Sequence, residues 1–220
     1  MNKESIDRIF WVTIIAAVFS YFTYNYIKSD NLGPNEVRIG ERIYSDKNLS
    51  THEFTNGDMI RIVRNDEEWV ECIQMKEPAC RIIGDNLSED WRQGGLLYNY
   101  YAISDERGLA PEGWEVMSGE DWDNVYEHIS KSHQDMDQFD IYSPSSVVIE
   151  DGRFLSLYEG EAVWWIEYSR LITEKPTIVG IRETSTGLEY DFNNVGFDYG
   201  LSMRCVKKEK TFFEKIGLSF

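Results

Sequence analysis

Three things are scarce in this chain of 220 residues: positive charge, histidine and cysteine. Only 22 Lys and Arg stand against 39 Asp and Glu, a net charge of −17. A surface that acidic repels phosphate backbones and anionic headgroups, which argues against nucleic acid as a partner and against peripheral membrane binding by the globular part. With three histidines (His52, His128, His133), none in an HExxH or other metal spacing, a histidine-built metal centre has no sequence basis. No GxSxG elbow, phosphate loop or dinucleotide fingerprint is present. Carboxylate pairs such as Glu67-Glu68 and Glu189–Asp191 occur at a frequency that 39 acids supply by chance, so no pair is singled out for catalysis. No cofactor is implied, and the expectation is a non-enzymatic protein. Cys72, Cys80 and Cys205 make an odd number with no CxxC, so at most one disulfide is expected, in any of three pairings.

What the chain does have is apolar and aromatic residues, at 42% and 14%, enough to bury a core. It also has a long apolar run. Residues 9–27 read IFWVTIIAAVFSYFTYNYI without a charge. At 1.5 Å per residue, 19 residues reach about 28 Å, the thickness of a bilayer's hydrocarbon core. Trp11 near one end and Tyr21, Tyr24 and Tyr26 near the other resemble interfacial belts. Lys3 and Arg8 precede the run, which favours a cytoplasmic N-terminus. A cleaved signal peptide is the rival reading, but Val18, Phe19, Tyr21 and Phe22 after Ala16-Ala17 are too bulky for a cleavage site. The run is expected to be a single transmembrane helix that contacts the lipid bilayer through residues 9–27. This implies a cytoplasmic segment 1–8, a linker 28–36 and a globular part outside the cytoplasm. For a bacterial protein the location would be the inner membrane, with the domain periplasmic or exported.

Beyond Gly33-Pro34 the pattern becomes that of short strands. Val37 and Ile39, the Gly40-Glu41 turn, then Ile43 and Tyr44 predict a hairpin; Asn56-Gly57-Asp58 introduces an alternating run, Met59–Arg64. Ser118 and Asp121 form a capping pair for a helix from Gly119 to about Lys131, with Trp122, Val125, Tyr126 and Ile129 on one stripe. His128 falls on its polar side. The stretch 132–144 holds His133, Asp135, Asp137 and Asp140, and reads as an acidic surface loop; its spacing lacks the glycine and closing glutamate of an EF-hand calcium loop. Strands are expected at Ala162–Ser169, Pro176–Arg182, Leu188–Phe192 and Gly200–Lys207.

Several of these blocks together resemble the Fibrobacter succinogenes major paralogous domain family. The marks are the strand Leu97-Tyr98-Asn99-Tyr100-Tyr101-Ala102-Ile103 and the turn Ala110-Pro111-Glu112-Gly113-Trp114. Others are Asn48-Leu49 with Asn56-Gly57-Asp58, the pair Trp164-Trp165 and the closing Arg204-Cys205-Val206-Lys207. The resemblance covers residues 37–208. It implies an α+β, C-type-lectin-like domain of short antiparallel strands with one main helix, acting as an exported recognition or scaffold module. Trp114, Trp122, Trp164 and Trp165 lie inside the family blocks and are expected in the core. Trp69 and Trp91 lie outside them and are candidates for exposed contacts. Cys80 and Cys205 stand where the family often has cysteine. Residues 209–220 add an apolar tail in which Phe212, Phe213, Ile216, Leu218 and Phe220 are candidate contacts for another subunit or the membrane interface, or pack back on the domain. The functional expectation is a membrane-anchored interaction or accessory subunit of a bacterial envelope complex, bound to another envelope or membrane protein. The alternative is a module that recognises a glycan or other external ligand.

Overall fold

The computed structural model describes residues 11–18, 20, 32–82, 95–141, 147–150, 153–156, 161–166 and 175–209. The chain divides into two compact units, Met1–Pro34 and Asn35–Phe220. In the first, residues 11–18 are helical, and Trp11, Val12, Ile15 and Val18 are exposed. Most of the remaining 9–27 segment lies outside the described residues. Among the described residues no helix is long and apolar enough to cross a membrane.

The second unit is a mixed α+β domain. Its elements in chain order are β1 (Glu36–Ile39), β2 (Arg42–Ser45), β3 (Arg61–Val63), α1 (Asp66–Met75), β4 (Ala79–Ile82), β5 (Leu96–Asn99) and α2 (Tyr100–Ile103). They continue with β6 (Trp114–Val116), α3 (Gly119–Ile129), α4 (His133–Phe139), β7 (Val147–Glu150), β8 (Arg153–Ser156) and β9 (Glu161–Trp165). β10 (Thr177–Thr184), β11 (Gly187–Asn194), β12 (Gly200–Leu201) and β13 (Cys205–Lys207) complete the set. Among the described residues the strands form three sheets, ordered β1-β2-β13-β6, β3-β4-β5-β12-β7-β8 and β11-β10-β9. An isolated parallel bridge joins Trp164 to Ser202, and all pairings between these strands are antiparallel except β3 with β4.

That parallel pair needs a crossover, and α1 supplies it. The sequence expectation had no helix here, although the local signals exist. Asn65 caps the first turn by accepting from the Glu68 amide (2.8 Å), and Glu68 accepts from the Arg64 amide in return (2.8 Å). Three acids open the helix and Lys76, in the left-handed conformation at φ 56°, ends it. Its inward stripe is Trp69, Cys72 and Ile73, at i, i+3 and i+4. Trp69 is therefore not an exposed contact residue: it is 0% exposed, and its Nε1–H donates to the Asp198 carbonyl at 2.9 Å. Its ring lies over Gly200, where an added Cβ would stand 2.6 Å from the ring, so the position has no room for a side chain.

Two further expectations are corrected. The strand beginning at Leu97 stops at Asn99 rather than running to Ile103, because the Asn99 side chain caps α2 by accepting from the Ala102 amide. The acidic stretch after α3 is in part the helix α4, not a loop. Phe139 and Ile141 are buried, which anchors α4 in the core, and Asp140 turns left-handed at φ 48° to end it. The Gly40-Glu41 hairpin and the α3 capping box form as expected. The Met59–Arg64 run is shorter as a strand and does not alternate cleanly: Ile60 and Val63 are buried, while Met59 and Ile62 are exposed.

The core is knitted by buried polar side chains as much as by apolar contact. In the larger cluster Trp122 packs on Trp164 with ring centroids 4.7 Å apart, beside Tyr44 and Phe139. At its margin Arg204 is 1% exposed. Its Nε–H donates to Asn48 Oδ1 (2.7 Å), and its terminal nitrogens donate to the carbonyls of Ser45 (3.2 Å) and Asp140 (2.8 Å). Asn48 Oδ1 also accepts the Trp164 indole N–H at 2.9 Å. Burial pushes the Arg204 guanidinium down to about 10, so it is still a cation at neutral pH. Asn48→Ala leaves the Arg204 Nε–H and an indole N–H without an acceptor, and should cost about 3–5 kcal/mol. For a domain of this size that corresponds to a fall in melting temperature of roughly 10 °C. Asn48→Asp, which restores an acceptor, should lose distinctly less. A melting temperature for Asn48→Ala within about 2 °C of the parent would refute this account.

Candidate functional site

The family-like turn builds a cleft of mixed chemistry. Two motifs distant in sequence are locked together there. Asn56-Gly57-Asp58 forms a tight turn in which the Asp58 amide donates to Asn56 Oδ1 (3.0 Å) and Gly57 has φ 88°. The Arg107 side chain grips this turn by donating to Asp58 Oδ2 at 2.9 Å. It also clasps Asp105 with both Nε (2.8 Å) and a terminal nitrogen (2.8 Å), and lies 3.9 Å above the Phe54 ring. Backbone bonds repeat the join: the Thr55 amide donates to the Gly108 carbonyl (3.0 Å), and the Thr55 hydroxyl donates to the Arg107 carbonyl.

Over this platform lies a cleft of about 470 Å³, within the range that small ligands occupy. Its walls include Ile103, Leu109, Val116, Ile166 and Met203. Its polar rim includes Thr55, Ser104, Asp105, Glu106, Glu115 and Lys208. Trp114 stands at the wall, half-buried, with the Lys207 ammonium 5.7 Å from its ring. The sequence expectation placed Trp114 in the core with the other signature tryptophans. Trp122, Trp164 and Trp165 are indeed fully buried, but Trp114 opens the short edge strand β6 and keeps one side at the cleft. Lys208, whose amide donates to the Gly113 carbonyl (2.9 Å), holds the closing strand along the same rim.

The electrostatics of the rim follow from the clasp. Hydrogen bonds from Arg107 hold Asp58 and Asp105 below the usual carboxylate range, and raise Arg107 in turn. Both acids have lower values folded than unfolded, so the clasp stabilises the domain above about pH 4 and this is lost as pH falls through the lowered values. Comparing the pH dependence of unfolding for the parent and Arg107→Met should show two curves that differ at pH 6 and converge by about pH 2–3. Curves that stay parallel across that window would show that the clasp contributes nothing.

The other candidates distribute as follows. Trp91 and the tail residues Phe212, Phe213, Ile216, Leu218 and Phe220 lie outside the described residues. Cys72, Cys80 and Cys205 are free, buried thiols, and no pair of them is bridged. They stand on α1, β4 and β13 respectively, each enclosed where its own element packs. Burial pushes Cys72 up to about 11 and Cys80 and Cys205 up to about 12, which suppresses the thiolate and with it nucleophilic reactivity. A thiol reagent at pH 8 should therefore label the native chain very slowly and release three equivalents at once in denaturant. Rapid labelling of one thiol in the native state, or fewer than three equivalents when unfolded, would contradict the structure. His128 is half-buried against Gly40, with Nδ1 2.8 Å from the Asn124 carbonyl, and is not a freely solvated histidine. Among the described residues no group of three or more His, Cys, Asp and Glu could hold a metal ion.

The architecture defines a small mixed α+β domain of mainly antiparallel strands whose motif residues are spent on internal ties. Residues 37–161 match the Fibrobacter succinogenes major domain, and the chain belongs to that family. The match spans the hairpin, the Asn56–Asp58 turn, the Tyr98-Asn99 strand, the cleft-forming turn and both helices that follow. Trp164, Trp165 and Arg204 lie beyond it and complete the same core. No curated protein and no solved structure matches the chain.

Proposed function

We propose that this protein is a membrane-tethered, non-enzymatic binding subunit of the bacterial envelope, exposing a lectin-like domain outside the cytoplasm. The observation that carries this reading is the cleft over the family turn. It combines a half-buried tryptophan, apolar walls and a polar rim on a platform fixed by the Arg107 clasp. Such a rigid, mixed surface suits recognition: the apolar wall supplies affinity and the fixed rim supplies orientation. The uncharged run 9–27, with exposed apolar side chains on its helical residues 11–18, supports the tether. The partner on this reading is a protein of the same envelope, which the tether would hold at high local concentration.

A second reading, glycan recognition, is favoured by Trp114. An aromatic ring beside carboxylates and hydroxyls offers a sugar an apolar face and hydrogen-bond acceptors together. Purification of the full chain from its native membranes in mild detergent, with mass spectrometry, separates the two. A stoichiometric protein partner, lost from a Trp114→Ala, Glu106→Ala variant that still melts normally, is the expected result. A chain that purifies alone and binds oligosaccharides, with affinity reduced about tenfold or more by the same substitutions, would establish the glycan reading. A chain that binds neither, or a partner indifferent to the substitutions, would remove the cleft from the function.

A further inference from the structure

β11 is a second surface, independent of the cleft. It pairs with β10 over its whole length, from Thr177↔Asn194 to Thr184↔Gly187, in an unbroken antiparallel register. Among the described residues its other edge pairs with no strand, since the sheet order is β11-β10-β9. Edge strands are normally blunted by shortness, proline, lysine or a bulge. This edge has eight residues, Gly-Leu-Glu-Tyr-Asp-Phe-Asn-Asn, with no proline, no basic residue and no bulge. Asp191, Phe192, Asn193 and Asn194 are exposed in succession, and Phe192 is 41% exposed despite its ring contact with Tyr190. The start of the strand is tied down from α3, where the Tyr126 hydroxyl donates to the Leu188 carbonyl (2.9 Å), so the accessible stretch is Tyr190–Asn194.

The two faces of this edge differ in chemistry. Leu188, Tyr190 and Phe192 share the face turned to α3; Tyr190 stacks on Tyr126 with ring centroids 4.6 Å apart. Glu189, Asp191 and Asn193 share the other, beside a hollow of about 510 Å³ where Gly180 leaves room for the Asp191 carboxylate. Arg182 in that hollow is already engaged by Glu161 (2.5 Å) and lies 3.8 Å from Glu189. A second copy of this chain is the poorer occupant, because it brings the same two carboxylates, Glu189 and Asp191, and the same net charge of −17 to the edge, and like charges oppose the approach.

We propose that β11 is a strand-addition edge for a partner segment whose side chains alternate apolar and basic. Main-chain hydrogen bonds to Tyr190–Asn194 supply the pairing. The apolar side chains extend the Tyr190 and Phe192 row, and the basic ones lie beside Glu189 and Asp191 at the hollow. The glutamate and aspartate thus act as a filter, rejecting a second copy and selecting opposite charge.

The test uses the full chain and, as probe, an end-capped synthetic peptide of eight residues alternating lysine and valine, matched to the strand's length. Saturable binding, with slowed hydrogen exchange at the amides of residues 190–194, is expected. Methylating alternate peptide nitrogens, which removes the pairing edge but keeps every charge, should abolish it. Glu189→Lys with Asp191→Lys should weaken the lysine peptide about tenfold or more and create affinity for the matching glutamate–valine peptide. Both side chains are exposed, so the melting temperature should move by no more than about 2 °C. Absence of saturable binding overturns the proposal. So does binding indifferent to N-methylation, which is diffuse attraction to an acidic surface; that comparison stands on the unaltered chain even where the double variant does not fold.

Discussion

A guanidinium taken out of water has to be given acceptors, and Arg204 obtains them from two distant parts of the chain. Asn48 reaches it from the loop after β2, Ser45 from the end of β2, and Asp140 from the close of α4. Because the same Asn48 oxygen takes the Trp164 indole, the side chain also fixes β9 against the first sheet. The Arg204 guanidinium lies 4.8 Å from the Phe139 ring centroid, so its remaining face is covered by aromatic surface. The desolvation of this cation is a cost, visible in its lowered proton affinity, and an acceptor at each of its three nitrogens offsets it. A requirement of this kind specifies one arrangement of β2, α4, β9 and β13.

Asn99 repeats the logic in the second core. Its carbonyl oxygen accepts from the amides of Ala79 (3.1 Å) and Ala102 (2.9 Å), and its amide donates to the Glu77 carbonyl (2.8 Å). One side chain therefore joins β4, β5 and α2. Beside it the Tyr98 hydroxyl donates to the Thr51 carbonyl, and the Trp165 indole donates to the Tyr98 carbonyl. The motif residues that identify the family are thus mostly internal ties: they stand at positions where a buried polar atom has no substitute.

This explains what could be read in the sequence and what could not. The hairpin at Gly40-Glu41, the capped helix α3 and the burial of Trp122, Trp164 and Trp165 follow from local turn chemistry, a helical stripe and the motif blocks. The helix α1 was missed because its stripe is short and its exposed side carries Val70 and Met75, which blur the contrast between faces; the cap at Asn65 was the usable signal. Trp69 was misplaced for the same reason, since burial of an indole on an unrecognised helix cannot be inferred. Asn99 reads as part of a strand within its apolar run, and its bonds to Ala79 and Glu77, 20 and 22 residues away, have no local signal. The cleft depends on Arg107 finding Asp58 across 49 residues, a pairing that neither motif announces alone.

The division between internal ties and surface groups sets where function can reside. A residue such as Arg204 or Asn99 has its hydrogen-bonding capacity consumed by the fold, so it has nothing to offer a ligand. Trp114 and the β11 edge are different: Trp114 is half-buried on the cleft wall, and β11 leaves one edge unpaired among the described residues. The ties build a frame, and these two faces are what the frame leaves for contacts. For this chain the frame carries an acidic surface and two such faces: a cleft with an aromatic wall, and an open strand edge that its own carboxylates guard against a second copy. On the reading proposed for the edge, its carboxylates would select partners of opposite charge, so steering by the net charge of −17 and selection at that contact would act in the same direction.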